Sequence, residues 1–112
     1  MIYHIVSKKE FRSSQKDGLY QPESLENEGY IHCSTASEIE NTANRYFKGK
    51  RHLFLIIIDE SRVKEEIKYE EVEGRDEPMP HIMGTLNLDA ILDKIVLTPD
   101  TNGEFEIKIE EN

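Results

Sequence analysis

The apolar positions of this chain change period several times, and each change marks an element. Residues 2–6, rich in β-branched and aromatic side chains, predict a strand that starts at the second residue. A helix is predicted over about residues 8–16. Ser7 and Glu10 have the spacing of a capping box, Val6 and Phe11 that of a hydrophobic staple, and Gly18 suits the position after the last turn. Residues 19–28 contain Pro22 and no clear period, which predicts a loop. A short strand over 30–34 precedes a second capping box, Thr35 with Glu38. Ile39, Ala43, Tyr46 and Phe47 then recur at helical spacing up to Gly49, as on a helix packed against a sheet.

Residues 53–59 read LFLIIID, a continuous apolar run that predicts a strand covered on both faces at the centre of the sheet. Further strands are expected over 67–72 and 95–97, a loop over 74–80, and a short helix or turn over 86–92. Residues 100–103 predict a hairpin turn. Phe105, Ile107 and Ile109 alternate with charged residues, as an edge strand would, and could pair with another chain. There is no repeat and no linker, so one domain over 1–112 is expected. Helices early and strands late favour an α+β fold over a regular parallel α/β sheet.

Composition narrows the partners. The 112 residues carry a formal net charge of −9, which argues against polynucleotides and leaves a small anionic ligand open. The densest basic stretch is Arg45, Lys48, Lys50, Arg51 and His52. It reads as a solvated helix end, although it could bind an anion locally. Cys33 is the only cysteine, so no intramolecular disulfide forms and a reducing, cytoplasmic setting is expected. The chain opens without a signal-peptide pattern, and its longest apolar run has six residues, so no membrane association is expected.

Two constellations carry candidate chemistry. In Gly29-Tyr30-Ile31-His32-Cys33-Ser34-Thr35, strand alternation puts Ile31 and Cys33 on one face and Tyr30, His32 and Ser34 on the other. Cys33 then reads as a small buried hydrophobe, and His32 with Ser34 as a polar pair before a helix start. In Pro78-Met79-Pro80-His81-Ile82-Met83-Gly84, two prolines and a glycine fix a loop that presents His81. His4 shares its strand face with Ile2 and Val6, and alone it reads first as a satisfied core histidine. No short metal-ligand pair is present, so no metal is expected, although His4, His32 and His81 could converge in space. Glu70 is the acidic residue best placed to act as a base or to stabilise a cation, while Glu71 reads as a solvated strand edge.

Together, His4, the G-Y-I-H-C-S-T stretch, Ala43-Asn44-Arg45-Tyr46-Phe47, the apolar strand ending in Asp59, and Pro80-His81-Ile82-x-Gly84 resemble the bacterial family known as domain of unknown function 952. The resemblance spans residues 3–97 and leaves 98–112 as an additional strand or hairpin. Met83 stands where the family commonly has tyrosine, and Met79 where an aromatic is frequent. The family looks like the ADP-ribosyltransferase superfamily, which implies a split, mixed β-sheet with flanking helices around a cleft for NAD. The His-Cys-Ser-Thr strand is also similar to a motif of the NAD-dependent RNA 2′-phosphotransferases.

The candidate catalytic residues are His4, His32 and His81, and the candidate ligand-binding residues are Tyr20, Ser34, Arg45 and Glu70. The resemblance implies that His4 and His32 face the nicotinamide-ribose or phosphate end of the ligand, with Ser34 beside them, Arg45 on a phosphate and Glu70 as the best match to the superfamily's glutamate. Two functions follow as expectations. One is an NAD-dependent ADP-ribosyl or phosphoryl transferase-like enzyme. The other is a non-catalytic module that binds a small anionic metabolite or nucleotide. A third reading, in which the histidines only satisfy one another, predicts a purely structural cluster.

Overall fold

In the computed structural model, which describes residues 1–110, the elements follow the apolar pattern closely in the first strand and the centre. Strand β1 (Ile2–Ser7) leads into helix α1 (Lys8–Ser13), whose first turn is capped by Ser7 Oγ accepting from the Glu10 amide at 3.1 Å. The rest of the expected box does not form, because the Glu10 carboxylate reaches forward to the Glu23 amide at 2.9 Å.

The helix ends early for a legible reason. Asp17 and Gly18 both adopt positive φ (54° and 77°), the backbone that a tight two-residue hairpin requires. They join β2 (Gln15–Lys16) to β3 (Leu19–Tyr20), so Gly18 belongs to a hairpin turn and not to a helix end. Residues 23–28, expected as loop, form helix α2 (Glu23–Glu28), which follows Pro22 and closes on left-handed Gly29 (φ 87°).

Strand β4 (Ile31–His32) is followed by a turn in which the Thr35 carbonyl accepts from the Glu38 and Ile39 amides at 3.1 and 3.0 Å. Helix α3 (Ile39–Tyr46) starts there without the expected cap, since the Thr35 hydroxyl is bonded to the Glu77 carboxylate. Then come β5 (Leu53–Ile58), β6 (Ile67–Glu70), β7 (Met79–Ile82), β8 (Leu86–Asn87) and β9 (Ile91–Leu97), with short 3₁₀ turns at Glu60–Arg62 and Leu88–Ala90. His81 therefore sits on a strand, not on a loop.

The strands form three sheets, β1-β5-β9, β2-β3-β8 and β4-β7-β6, and every pairing is antiparallel, which replaces the expected mixed sheet. The continuous apolar run lies at the centre of the first sheet, as its two-sided pattern requires. Its alternate residues feed two separate cores. Phe54, Ile56 and Ile58 join Ile2, Val6, Phe11 and Tyr20 on one face, and Leu53 and Leu55 join Tyr3, Ile39, Ala43 and Phe105 on the other.

Residues 105–109 form no strand. Asn44 of α3 clamps Phe105 from both sides, its amide donating to the Phe105 carbonyl at 3.0 Å and its oxygen accepting from the Phe105 amide at 2.7 Å. The Ile107 amide donates to Glu40 at 3.2 Å. The segment thus lies along the helix, and its hydrogen bonds go to side chains instead of a ladder. Among the described residues no helix is long and apolar enough to cross a membrane.

Candidate functional site

A cleft opens where two of the sheets part. Strand β1 is an edge of its sheet, and its main chain meets β4's side of the molecule at one isolated bridge. There Tyr3 and Ser34 exchange both hydrogen bonds, at 2.9 and 2.7 Å. In a continued antiparallel ladder the next bonded pair would be Ile5 with His32. It does not form, because the His32 carbonyl is taken at 2.6 Å by His4 Nδ1. A carbonyl only accepts, so Nδ1 carries the proton and Nε2 must accept. Tyr20 supplies its hydroxyl proton to Nε2 at 2.7 Å. Burial, only partly opposed by the His32 carbonyl, lowers the His4 pKa to about 4, and the ring is neutral at neutral pH. Burial also raises the Tyr20 phenol, with Glu10 and Cys33 as lesser causes.

This network ends the ladder and leaves an open edge. Because Tyr3 turns its N–H and C=O toward Ser34, strand alternation turns those of Ile5 the same way, into the cleft, where no group of the described residues answers them. The cleft has a volume of about 740 Å³, and Ile5 is part of its floor.

One wall is aromatic. Tyr30 lies flat on the His81 ring, with centroids 4.1 Å apart and planes 14° apart, and His32 meets His81 edge-on at 5.6 Å. His81 is buried, and its Nδ1–H donates to Glu70 Oε1 at 3.0 Å. In the neutral ring that bond fixes the tautomer and turns Nε2 into an acceptor, which has no partner among the described residues. His32 is exposed and pairs with Glu28, the last residue of α2.

The opposite wall holds a buried charge. The Arg75 side chain is only 3% exposed and donates to Glu38 at 3.1 Å and to Thr42 Oγ1 at 2.7 Å. Thr42 in turn bonds the Ser34 hydroxyl at 2.7 Å. Arg75 Nε is buried and has no partner among the described residues. The loop that carries Arg75 is pinned at two points. Arg45 donates to the Gly74 carbonyl at 3.0 Å, and Ser37 and Thr35 hold the Glu77 carboxylate, lowering its pKa. Gly74 adopts φ 81°, a backbone that other residues rarely take, and a Cβ there would also displace the Arg45 guanidinium.

Of the residues expected from sequence, His4, His32, Ser34 and His81 line the cleft. Tyr20 and Glu70 stand one layer behind, each bonded to a histidine that lines it, and Arg45 lies outside on the loop support. Cys33 is buried, and its thiol is pushed far above the ordinary range by desolvation, so it offers no nucleophile. Among the described residues no three His, Cys, Asp or Glu converge as a metal cluster would. Sequence reasoning missed Glu28, which meets His32 only because the chain turns at left-handed Gly29, and Arg75, whose buried partner Glu38 lies 37 residues away.

Fold and site together define a class: a small α+β protein whose antiparallel sheets separate at one bridge to form a tyrosine- and histidine-walled cleft. More particularly, the chain belongs to the DUF952 family, described as protein of unknown function, which matches residues 5–94. It is similar to the crystal structure of protein CC0527 from Caulobacter crescentus, with a TM-score of 0.83 and 24% identity over 94% of this chain and 92% of that one. The solution NMR structure of CC0527 gives 0.76 and 25% over 92% and 89%. No curated protein sequence matches the chain.

Proposed function

We propose that the cleft binds a nucleotide that carries a flat ring with a carboxamide, with NAD as the representative ligand. The observation that carries this reading is the open edge at Ile5. Its N–H and C=O point the same way from one residue, the pairing surface that a primary amide satisfies with both its donor and its acceptor. The Tyr30–His81 wall suits the ring, and Arg75 with Lys50 suits the anionic part. The resemblance to the ADP-ribosyltransferase superfamily points the same way.

Calorimetric titration with NAD, nicotinamide and nicotinic acid tests it. NAD and nicotinamide bind, and nicotinic acid binds at least 10-fold more weakly because its carboxylate cannot donate to the Ile5 carbonyl. Equal affinity for amide and acid, or no binding of NAD, overturns the reading.

A second reading, catalysis on that ligand, is favoured by the Glu70–His81 pair. A carboxylate that fixes Nδ1–H leaves Nε2 free to take a proton from an attacking hydroxyl or water. Glu28 replaces Glu70 as the carboxylate that lines the cleft and could oppose a cationic ribose. Release of nicotinamide from NAD, abolished by His81→Ala and Glu28→Gln, separates an enzyme from a binding module.

A further inference from the structure

On the far side of the first sheet from α3, a second feature stands apart from the cleft. Lys8 and Arg12 of α1 and Lys94 of β9 converge on one ring, that of Phe54, with charged atoms 5.6, 5.6 and 4.8 Å from its centroid. Lys9, Ser13 and His52 line the same shallow depression beside Lys8 and Arg12. Among the described residues, none of Lys8, Lys9, Arg12 and Lys94 has a carboxylate partner. The neighbouring acids are turned to other work. Glu10 accepts from the Glu23 amide, and Asp93 accepts from the Lys94 amide.

In a chain of net charge −9, these cations stand together without a carboxylate partner among the described residues. Like charges at i and i+4 on a helix repel, and Phe54 offsets only part of that through its ring. A multiply charged anion would relieve the rest.

We propose that this face is a second binding site, for a compact, multiply charged phosphate of the triphosphate class. The patch is one helical turn wide and bounded by a strand, which suits a chain of two or three phosphates better than the long track a nucleic acid needs. The site shares no lining residue with the cleft.

Calorimetry with inorganic triphosphate and orthophosphate tests it, at about 50 mM and 200 mM salt, on the wild type and on Lys8→Gln/Lys94→Gln. Triphosphate binds the wild type, orthophosphate binds at least 10-fold more weakly, and the affinity falls as salt rises. The double variant binds triphosphate at least 10-fold more weakly while melting no lower than the wild type, since it loses mutual repulsion. No binding to the wild type, or equal binding to the variant, overturns the site. Tighter capture of a short single-stranded oligonucleotide than of triphosphate at the same salt overturns the assignment to a small ligand.

Discussion

His4 and His81 are both buried and both line the cleft, yet they are opposite in kind. His4 has each ring nitrogen committed, one to the His32 carbonyl and one to the Tyr20 hydroxyl. His81 has one nitrogen held by Glu70 and the other unclaimed. Burial alone therefore does not mark a functional histidine. What separates the two rings is the number of nitrogens left over. The first ring ends a β-ladder and keeps two sheets apart, and the second is oriented without being used up.

The largest expected effect breaks the first histidine. His4→Ala leaves the Tyr20 hydroxyl buried without a partner and unpairs the part-buried His32 carbonyl, at about 1–3 kcal/mol for a buried group. A loss of about 3 kcal/mol in urea unfolding is expected, and a loss below about 1 kcal/mol would make the two histidines equivalent.

The pH dependence follows with a defined sign. The unfolded ring titrates near 6.5 and the folded one near 4, so between these values the unfolded state holds the extra proton. The His4 contribution is full above pH 6.5 and declines as pH falls toward 4, by about 3 kcal/mol in all. Carboxylates also titrate at the lower end, so the reading is the difference between wild type and His4→Ala. That difference shrinks on acidification, and a constant difference would show that His4 is not neutral when folded.

His81→Ala is expected to cost less stability, about 1–2 kcal/mol, from the lost stack on Tyr30 and one bond to an exposed carboxylate. Its effect falls on the cleft, where NAD affinity drops at least 10-fold in the same titration. A variant that binds NAD normally but unfolds like His4→Ala would place His81 with the structural group.

The contrast between the two histidines was not legible in the sequence, but the elements around them were in part. The strand around His4, the two-sided central strand and the polar face of His32 and Ser34 follow from side-chain period alone. Other parts were hidden because one residue satisfied two rules. Gly18 fits a helix end as well as a hairpin, and only the preceding Asp17 at φ 54° decides between them. Met79–Ile82 reads as a loop because proline cannot donate to a ladder. Yet Pro80 sits where β4 ends, and its carbonyl alone is used, accepting from the Cys33 amide at 3.1 Å. Arg75 was beyond reach, because a buried arginine is recognised by its partner, and Glu38 approaches it only through the fold. Arg45, which the resemblance favoured, lies on α3 and supports the loop that carries Arg75.

The smallest expected effect concerns Glu70, whose side chain is 46% exposed, so its hydrogen bond with His81 contributes only about 0.5 kcal/mol to the fold. If the carboxylate acts by orienting the ring, an uncharged acceptor should serve nearly as well. Glu70→Gln keeps an oxygen for the Nδ1–H, and NAD affinity should stay within about 2-fold of wild type. Glu70→Ala removes the acceptor, lets the ring choose either tautomer, and should weaken binding about 3- to 10-fold with little change in melting. Equal loss in both variants would assign the role to charge and not to orientation. No loss in either would mean that the stack on Tyr30 alone holds His81, and that its open nitrogen owes nothing to Glu70.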